Sequence, residues 1–517
     1  MVHCEQENGV LNISVVNENG GIRILKVKLP DSEMFVWKEC DKDDNRRDER
    51  FVSQTDKPVR KVKSGRLNNY RIMEIINMKL VQNHNTIFND NMPKKWFLDI
   101  ESEIVKGKSV NQLLQKVDGY KNAPINASAE VRTMSAVSDD VVILYGMKPL
   151  SSTQIHDLEN MINSYINDKV NYSPGYSVIE KKWKLEYKQY DNEQQLLLGI
   201  CGDCRNMPFI SGWNFWKYDI NYLCKRATQK YGMKNYIKSM SPTLTSYTMT
   251  LTDKFNKKNK VSFELPMHKI VVDYMHIMEK WDMSLKSKSN MGLDNISEMV
   301  LGIKKVKYQG TLNELYERDY VKFLWYNAID SILVQQLDEK NNTYDTMVSL
   351  SNEGMVPLHE SLYASKIIES MMSREYYTDG VVLVPDKDAE IDEGDYEGGY
   401  VKEPKPGIFN DVVIMDFQSK FPSIAMCINS GIDTYLGKIT DGGKTYICRK
   451  TGSEIELDDQ CIKSPSGAVF FKGKDSILRR VIGKGLFGRR VQNKHMSQSV
   501  ENYISELKNL LKQNISI

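Results

Sequence analysis

Apolar and polar residues alternate from the start of the chain. Val10-Leu11-Asn12-Ile13-Ser14-Val15-Val16 and Ile22-Arg23-Ile24-Leu25-Lys26-Val27 follow the two-residue period of strands with one buried face. Residues 1–90 are therefore expected to be β-rich, and the mixed-sign charges between Lys38 and Arg50 predict a solvated loop. From Lys94 to about Leu337 apolar strand runs such as Asp140–Tyr145 and Lys269–Asp273 alternate with helical periodicity. That is the pattern of an α/β domain. An acidic stretch from Asp386 to Asp395 leads into Tyr396-Glu397-Gly398-Gly399-Tyr400 and predicts a linker with a glycine turn. Val412-Val413-Ile414-Met415 predicts a strand that delivers Asp416, and helical patterns run from Ile477 onward.

Three acidic signatures sit on these elements. Trp96-Phe97-Leu98-Asp99-Ile100-Glu101 reads as a strand, whose alternation puts Asp99 and Glu101 on one face. Gly212-Trp213-Asn214-Phe215-Trp216-Lys217-Tyr218-Asp219 is the second. Tyr326-Asn327-Ala328-Ile329-Asp330 is the third, and helical spacing puts Tyr326 and Asp330 one turn apart on one face. Each alone is a chance-level pattern; the ordered set is specific. Brought together by the fold, these four carboxylates and a phenol would hold two divalent cations and orient a water for phosphodiester hydrolysis. Mg²⁺ and Mn²⁺ are hard ions that prefer such oxygen ligands.

At 517 residues the chain exceeds the roughly 250–300 residues that one core fills, so several domains are expected. The formal net charge of +2 gives no global sign of nucleic-acid binding. From Lys463 to Ile517, however, basic residues dominate, with Lys472, Lys474, Arg479, Arg480, Lys484, Arg489, Arg490 and Lys494. Such a stretch suits either phosphate contact or a plain solvated face. The start of the chain lacks a signal-like apolar run and no apolar stretch is long enough for a bilayer, so a cytoplasmic protein with no membrane association is expected. Eight cysteines in so long a chain do not form a secreted disulfide framework. The lone Cys201-Gly202-Asp203-Cys204 is expected to be two reduced thiols, with zinc a poor second.

Asp416-Phe417-Gln418-Ser419-Lys420-Phe421-Pro422-Ser423-Ile424 resembles the first polymerase motif of family B DNA polymerases, Asp-x-x-Ser-Leu-Tyr-Pro-Ser-Ile. Tyr396-x-Gly398-Gly399-Tyr400-Val401-Lys402-Glu403-Pro404 resembles that family's DNA-contacting loop between exonuclease and polymerase parts. The three acidic signatures match its proofreading motifs in order. Leu486–Lys494 is similar to the first fingers helix. Val272-Asp273-Tyr274, Gly292–Glu298 and Ser464-Pro465-Ser466-Gly467 are similar to replicative polymerases of T-even-type bacteriophages. The resemblance runs from about residue 30 to 496.

The resemblance implies an α/β multidomain chain. It would comprise a β-rich N-terminal domain (1–93), a ribonuclease H-like 3′–5′ exonuclease domain (94–345), a linker with partial palm (346–470) and partial fingers (471–517). Asp99, Glu101, Asp219 and Asp330 would be exonuclease metal ligands, Tyr326 would orient the water, and Asn214 and Tyr218 would shape the strand path. Tyr218 stands where phenylalanine is usual. Asp416 would be one of two palm aspartates holding Mg²⁺ or Mn²⁺, two ions per active site. Phe421 replaces the usual tyrosine and keeps a steric wall against a 2′-hydroxyl; Lys420 replaces the usual leucine. Arg490 and Lys494, one turn apart, would grip the triphosphate.

The family continues with a second fingers helix and an Asp-Thr-Asp-Ser hairpin, and neither motif occurs in this sequence. Polymerisation is therefore expected to need a second polypeptide supplying the rest of palm, fingers and thumb, and any sliding-clamp contact through it. An apolar stripe, Val500, Ile504, Leu507 and Leu511, is the expected docking face. The expected partners are primer–template DNA and single-stranded 3′ ends, with dNTPs used only by the reconstituted enzyme. The competing readings are a stand-alone exonuclease, a nucleic-acid-binding regulator and an inactive remnant. An intact Asp416 motif favours the split polymerase over the first, and the four carboxylates argue against the second.

Overall fold

The computed structural model describes residues 1–517 except 2, 55, 81–82, 104–126, 253–259, 282–290, 385–401, 404, 411, 414–418, 441 and 485–517. The chain divides into two compact units. One comprises Met1–Pro30 and Val81–Ile367, the other Asp31–Leu80 and Ile368–Ile517. Both mix strands and helices, and the amino-terminal region is β-rich.

The first unit opens with a three-stranded antiparallel sheet, His3–Glu7, Val10–Val16 and Ile22–Lys28, where the alternation predicts strands. Its centre is a six-stranded sheet built from β1 (Lys95–Ser102), β2 (Val131–Ser138), β3 (Val141–Gly146), β4 (Lys184–Gln189), β5 (Phe209–Gly212) and β6 (Ile270–Asp273). The order is β4-β3-β2-β1-β5-β6. β2 runs antiparallel to both its neighbours, while β3–β4, β1–β5 and β5–β6 are parallel pairs. The parallel strands β5 and β6 are buried along their whole length, as strands covered on both faces must be.

Helices pack on this sheet. The longest, α4 (Tyr320–Asn341), buries fifteen of its twenty-two residues, which is why it lacks an amphipathic stripe. It lies across β1 and β2. Ser135 Oγ of β2 donates to the Asn327 carbonyl at 2.8 Å and lies 2.5 Å from Ser331 Oγ, so buried hydroxyls fix the helix on the strand. α1 (Ser152–Asn167) begins with a capping box from Ser151 and Gln154, which satisfies amides that the first turn leaves free. α2 (Glu193–Asn206) and α3 (Asp219–Tyr231) complete the layer around a core that includes Phe97, Tyr145, Trp183, Phe209 and Phe323. Gly212 ends β5 where a Cβ would lie 2.5 Å from the Leu98 carbonyl and 2.7 Å from the Phe215 ring. Only glycine lets β5 approach β1 that closely.

In the second unit, Phe35–Glu39, Arg47–Ser53, Pro58–Lys63 and Val381–Val382 form one sheet over Phe35, Trp37 and Val59. The charged segment from Lys38 to Arg50, expected as a loop, is a loop only between these strands. Lys38 and residues from Arg47 onward pair in the ladder, because their charged side chains sit on its solvent face. A second, antiparallel sheet of five strands follows, Tyr435–Ile439, Thr445–Cys448, Glu454–Glu456, Cys461–Lys463 and Ala468–Phe471. The strand expected at Val412–Met415 is not formed at its described residues. Val412 and Val413 are exposed coil, with no described strand beside them to take their backbone hydrogen bonds. Met415 and Asp416 lie outside the described residues.

Candidate active site

Asp99 and Glu101 project from the same face of β1, and α4 brings Asp330 over them. Carboxylate oxygens of the three lie within 4.8 Å of one another. Like charges this close cannot all stay ionised without a cation. Burial, reinforced by Asp330, pushes Asp99 up to about 8, and burial with the Asp99 charge holds Glu101 well above its ordinary value. Asp330 is 2% exposed and is raised by burial against the opposing pull of Lys305. Its Oδ1 is buried with no hydrogen-bond partner among the described residues. A buried carboxylate oxygen left bare beside two further carboxylates is a donor set that fits Mg²⁺ or Mn²⁺.

Asp219 opens α3 next to this group but is not one of the three converging carboxylates. Its Oδ1 accepts the Ile100 amide at 3.1 Å, which orients it toward β1. Burial and the Asp99 charge raise it well above the usual carboxylate range.

Two residues without a role in the sequence reading complete the cluster. Lys305, on the loop after the Leu293–Leu301 helix, places Nζ 2.5 Å from Asp330 Oδ2 and 4.6 Å from the centre of the Tyr326 ring. Burial pulls this ammonium down, yet Asp330, Tyr326, Asp99 and Glu101 together hold it above its ordinary value. Asn327 donates from Nδ2 to Asp99 Oδ2 at 2.7 Å. Asn327 stands inside the third acidic signature, three residues before Asp330, so helical spacing could have marked it. Nothing in the local pattern around Lys305 does.

Tyr326 is 8% exposed, with Tyr308 edge-on at 5.1 Å. Tyr218 OH lies 3.0 Å from Ser102 Oγ, and its ring stacks on Tyr222 at 5.5 Å. Asn214 takes φ 57° in the turn after β5 and its carbonyl accepts the Tyr218 amide at 3.0 Å. In that left-handed turn an asparagine is one of the few side chains at ease. In the second unit, Phe421 lies on the Lys420–Cys427 helix and is 84% exposed. Tyr396, Gly398, Gly399, Asp416, Arg490, Lys494 and the stripe from Val500 to Leu511 lie outside the described residues.

Among the described residues, no cysteine belongs to a group of three converging metal-ligand atoms. Cys201 and Cys204 are buried thiols on α2, pushed up by burial to about 11 and about 12, and thiols kept protonated this way are poor ligands. Cys448 and Cys461 are both free.

Residues 358–513 match the family model described as DNA polymerase family B. Over 322 residues the chain is 26% identical to the DNA-directed DNA polymerase of Escherichia phage RB69, covering 60% of this chain and 33% of that one. Over 313 residues it is 22% identical to the DNA-directed DNA polymerase of Enterobacteria phage T4, covering 60% and 34%. Both the matched family model and these phage relatives make the chain similar to family B DNA polymerases. The DNA polymerase catalytic subunit of human herpesvirus 8 is 24% identical over 265 residues, which are 49% of this chain and 26% of that one. The alignments to the phage enzymes span about a third of those relatives' length. No described helix is long and apolar enough to cross a membrane.

Proposed function

We propose that residues 94–345 are a ribonuclease H-like 3′–5′ exonuclease that proofreads DNA. On this reading the remainder is the amino-terminal domain and the first part of the palm and fingers of a family B DNA-directed DNA polymerase. The observation that carries the exonuclease reading is the convergence of Asp99, Glu101 and Asp330, with one Asp330 oxygen buried and bare. The sheet order, with β2 reversed at the centre, supports the ribonuclease H-like assignment.

Two Mg²⁺ or Mn²⁺ ions held by Asp99, Glu101, Asp219 and Asp330 would supply charge stabilisation for the attacking and leaving oxygens. The chain's own groups do the rest. Tyr326 orients the water that attacks the terminal phosphodiester; the bond to the 3′ oxygen breaks and that oxygen takes a proton, releasing a 5′-mononucleotide. Lys305 offsets the negative charge around Asp330, and Asn327 fixes the plane of the Asp99 carboxylate. Asn214 and Tyr218 line the path of a single strand, the form a 3′ end must adopt to reach so enclosed a cluster. Purified chain with Mg²⁺ should release 5′-mononucleotides from the 3′ end of a single-stranded oligonucleotide and spare a circular single strand. Internal cleavage of the circle would overturn the exonuclease reading.

For the polymerase part, Asp416 would hold metal, Phe421 would guard the sugar, and Arg490 and Lys494 would bind the triphosphate. Tyr396, Gly398 and Gly399 would contact primer–template DNA. The remaining palm, fingers and thumb of the family would complete this site and provide any clamp contact. Supplying those parts together with residues 1–517 should give primer extension; no extension at all would overturn the polymerase reading and favour an exonuclease alone.

A further inference from the structure

Away from the carboxylates, three histidines from distant parts of the first unit gather around one ring. His3 lies on the strand His3–Glu7, His268 in the turn before β6, and His359 in the short helix Leu358–Leu362. The ring of His3 is 5.6 Å from that of His268 and 5.7 Å from that of His359. The Leu358 amide donates to the Met1 carbonyl at 2.9 Å, so the short helix is already tied to the first strand.

His268 is fully buried, and its Nε2 lies 3.2 Å from Glu5 Oε1. A carboxylate accepts, so the ring must donate from Nε2 and carry its lone pair on Nδ1. That Nδ1 is buried with no hydrogen-bond partner among the described residues. An imidazole whose outer N–H is held by a carboxylate while its other nitrogen is bare is how metal-ligating histidines are prepared. We propose that His3, His268 and His359 form a transition-metal site of the zinc class, with Glu5 orienting His268.

The spacing of the rings bears on the same site. Three imidazoles bonded to one tetrahedral ion at about 2.1 Å place their ring centres about 5 Å apart, slightly closer than the two separations from His3. The donor atoms have not converged in this structure; among the described residues only Asp99, Glu101 and Asp330 bring three within 4.8 Å. His3 and His359 are both half-buried, and the His3 ring also stacks on Tyr247 at 5.5 Å, so both rings must turn to share an ion. Such an ion would join the first strand to the turn before β6 and to the Leu358–Leu362 helix.

Titration of the purified, metal-free chain with Co²⁺ alone tests the site, because a tetrahedral histidine site absorbs strongly in the visible whereas carboxylate-bound Co²⁺ is octahedral and pale. One equivalent of strongly absorbing Co²⁺ is expected, displaced by Zn²⁺, with the band abolished in His268→Ala. In His359→Gln and His3→Gln, changes at half-buried positions that leave the fold intact, the affinity should fall at least tenfold. Only the pale spectrum in the unaltered chain, or an unchanged spectrum and affinity in His359→Gln and His3→Gln, would overturn the site. If His268→Ala does not fold, those two variants decide.

Discussion

Asn327 donates its side-chain amide to the Asp99 carboxylate at 2.7 Å and to the Asp99 backbone carbonyl at 3.3 Å. One residue of α4 thus grips both the side chain and the strand that presents it. A carboxylate gripped in this way offers a fixed lone pair to an incoming cation. Asn327→Leu removes both bonds with little change in volume. We expect a folded protein whose exonuclease kcat falls about 10–100-fold, the usual cost of removing a partner that orients a ligand. Unchanged kcat in steady-state assays would show that Asp99 needs no such support.

Lys305 stands 2.5 Å from Asp330 and opposes the upward shift of Asp99, Glu101 and Asp330. Without this cation their proton affinity rises, and cations must then compete with protons up to a higher pH. For Lys305→Met the acid limb of the pH–rate profile is predicted to move to higher pH. A limb that stays in place would mean the ammonium does not tune these carboxylates.

Cation uptake should also release protons. In the metal-free cluster Asp99 is pushed up to about 8, so at pH 7 it is largely protonated, and a divalent cation must expel that proton to bind. Mn²⁺ affinity is therefore expected to rise with pH through the range in which Asp99 gives up its proton, near pH 8. Calorimetry in buffers of different ionisation enthalpy at pH 7 reads the proton count directly, and a count of zero would contradict the electrostatic picture.

Much of this arrangement is legible in the sequence. The two-residue period around Asp99 and Glu101 and the one-turn spacing of Tyr326 and Asp330 are local, and local periodicity survives folding. Lys305 is different. It lies in an irregular loop, and only tertiary packing brings it to Asp330. The segment from Lys38 to Arg50 misleads for the opposite reason, since charge on one face of a strand reads as a loop when the apolar partner face is sparse. Val412 and Val413 mislead because strand propensity counts only where a neighbour can pair.

Lys269 tests the fold apart from the site. Its buried ammonium donates to the carbonyls of Cys204, Arg205 and Met207 at the end of α2, and burial lowers it to about 8. Between about pH 8 and the unfolded value near 10.4, the unfolded chain binds the extra proton, so this residue makes stability rise with pH. Relative to Lys269→Met, the unaltered chain should therefore gain up to about 3 kcal/mol across that window. Parallel urea curves at pH 7.5 and 10 read the difference; a gap that stays constant or narrows would contradict the burial of this charge.

Asp99, Glu101 and Asp330 are proposed as a cation-dependent hydrolytic centre. Its most direct measurement is the rate of Mg²⁺-dependent degradation of a 3′-labelled single strand by the unaltered chain and by the Asp99→Ala, Glu101→Ala double variant. The double variant should lose at least about 10³-fold, since one lost electrostatic contributor alone commonly costs about 10²–10³, with the circular dichroism spectrum preserved. Undiminished degradation by a folded double variant would contradict it.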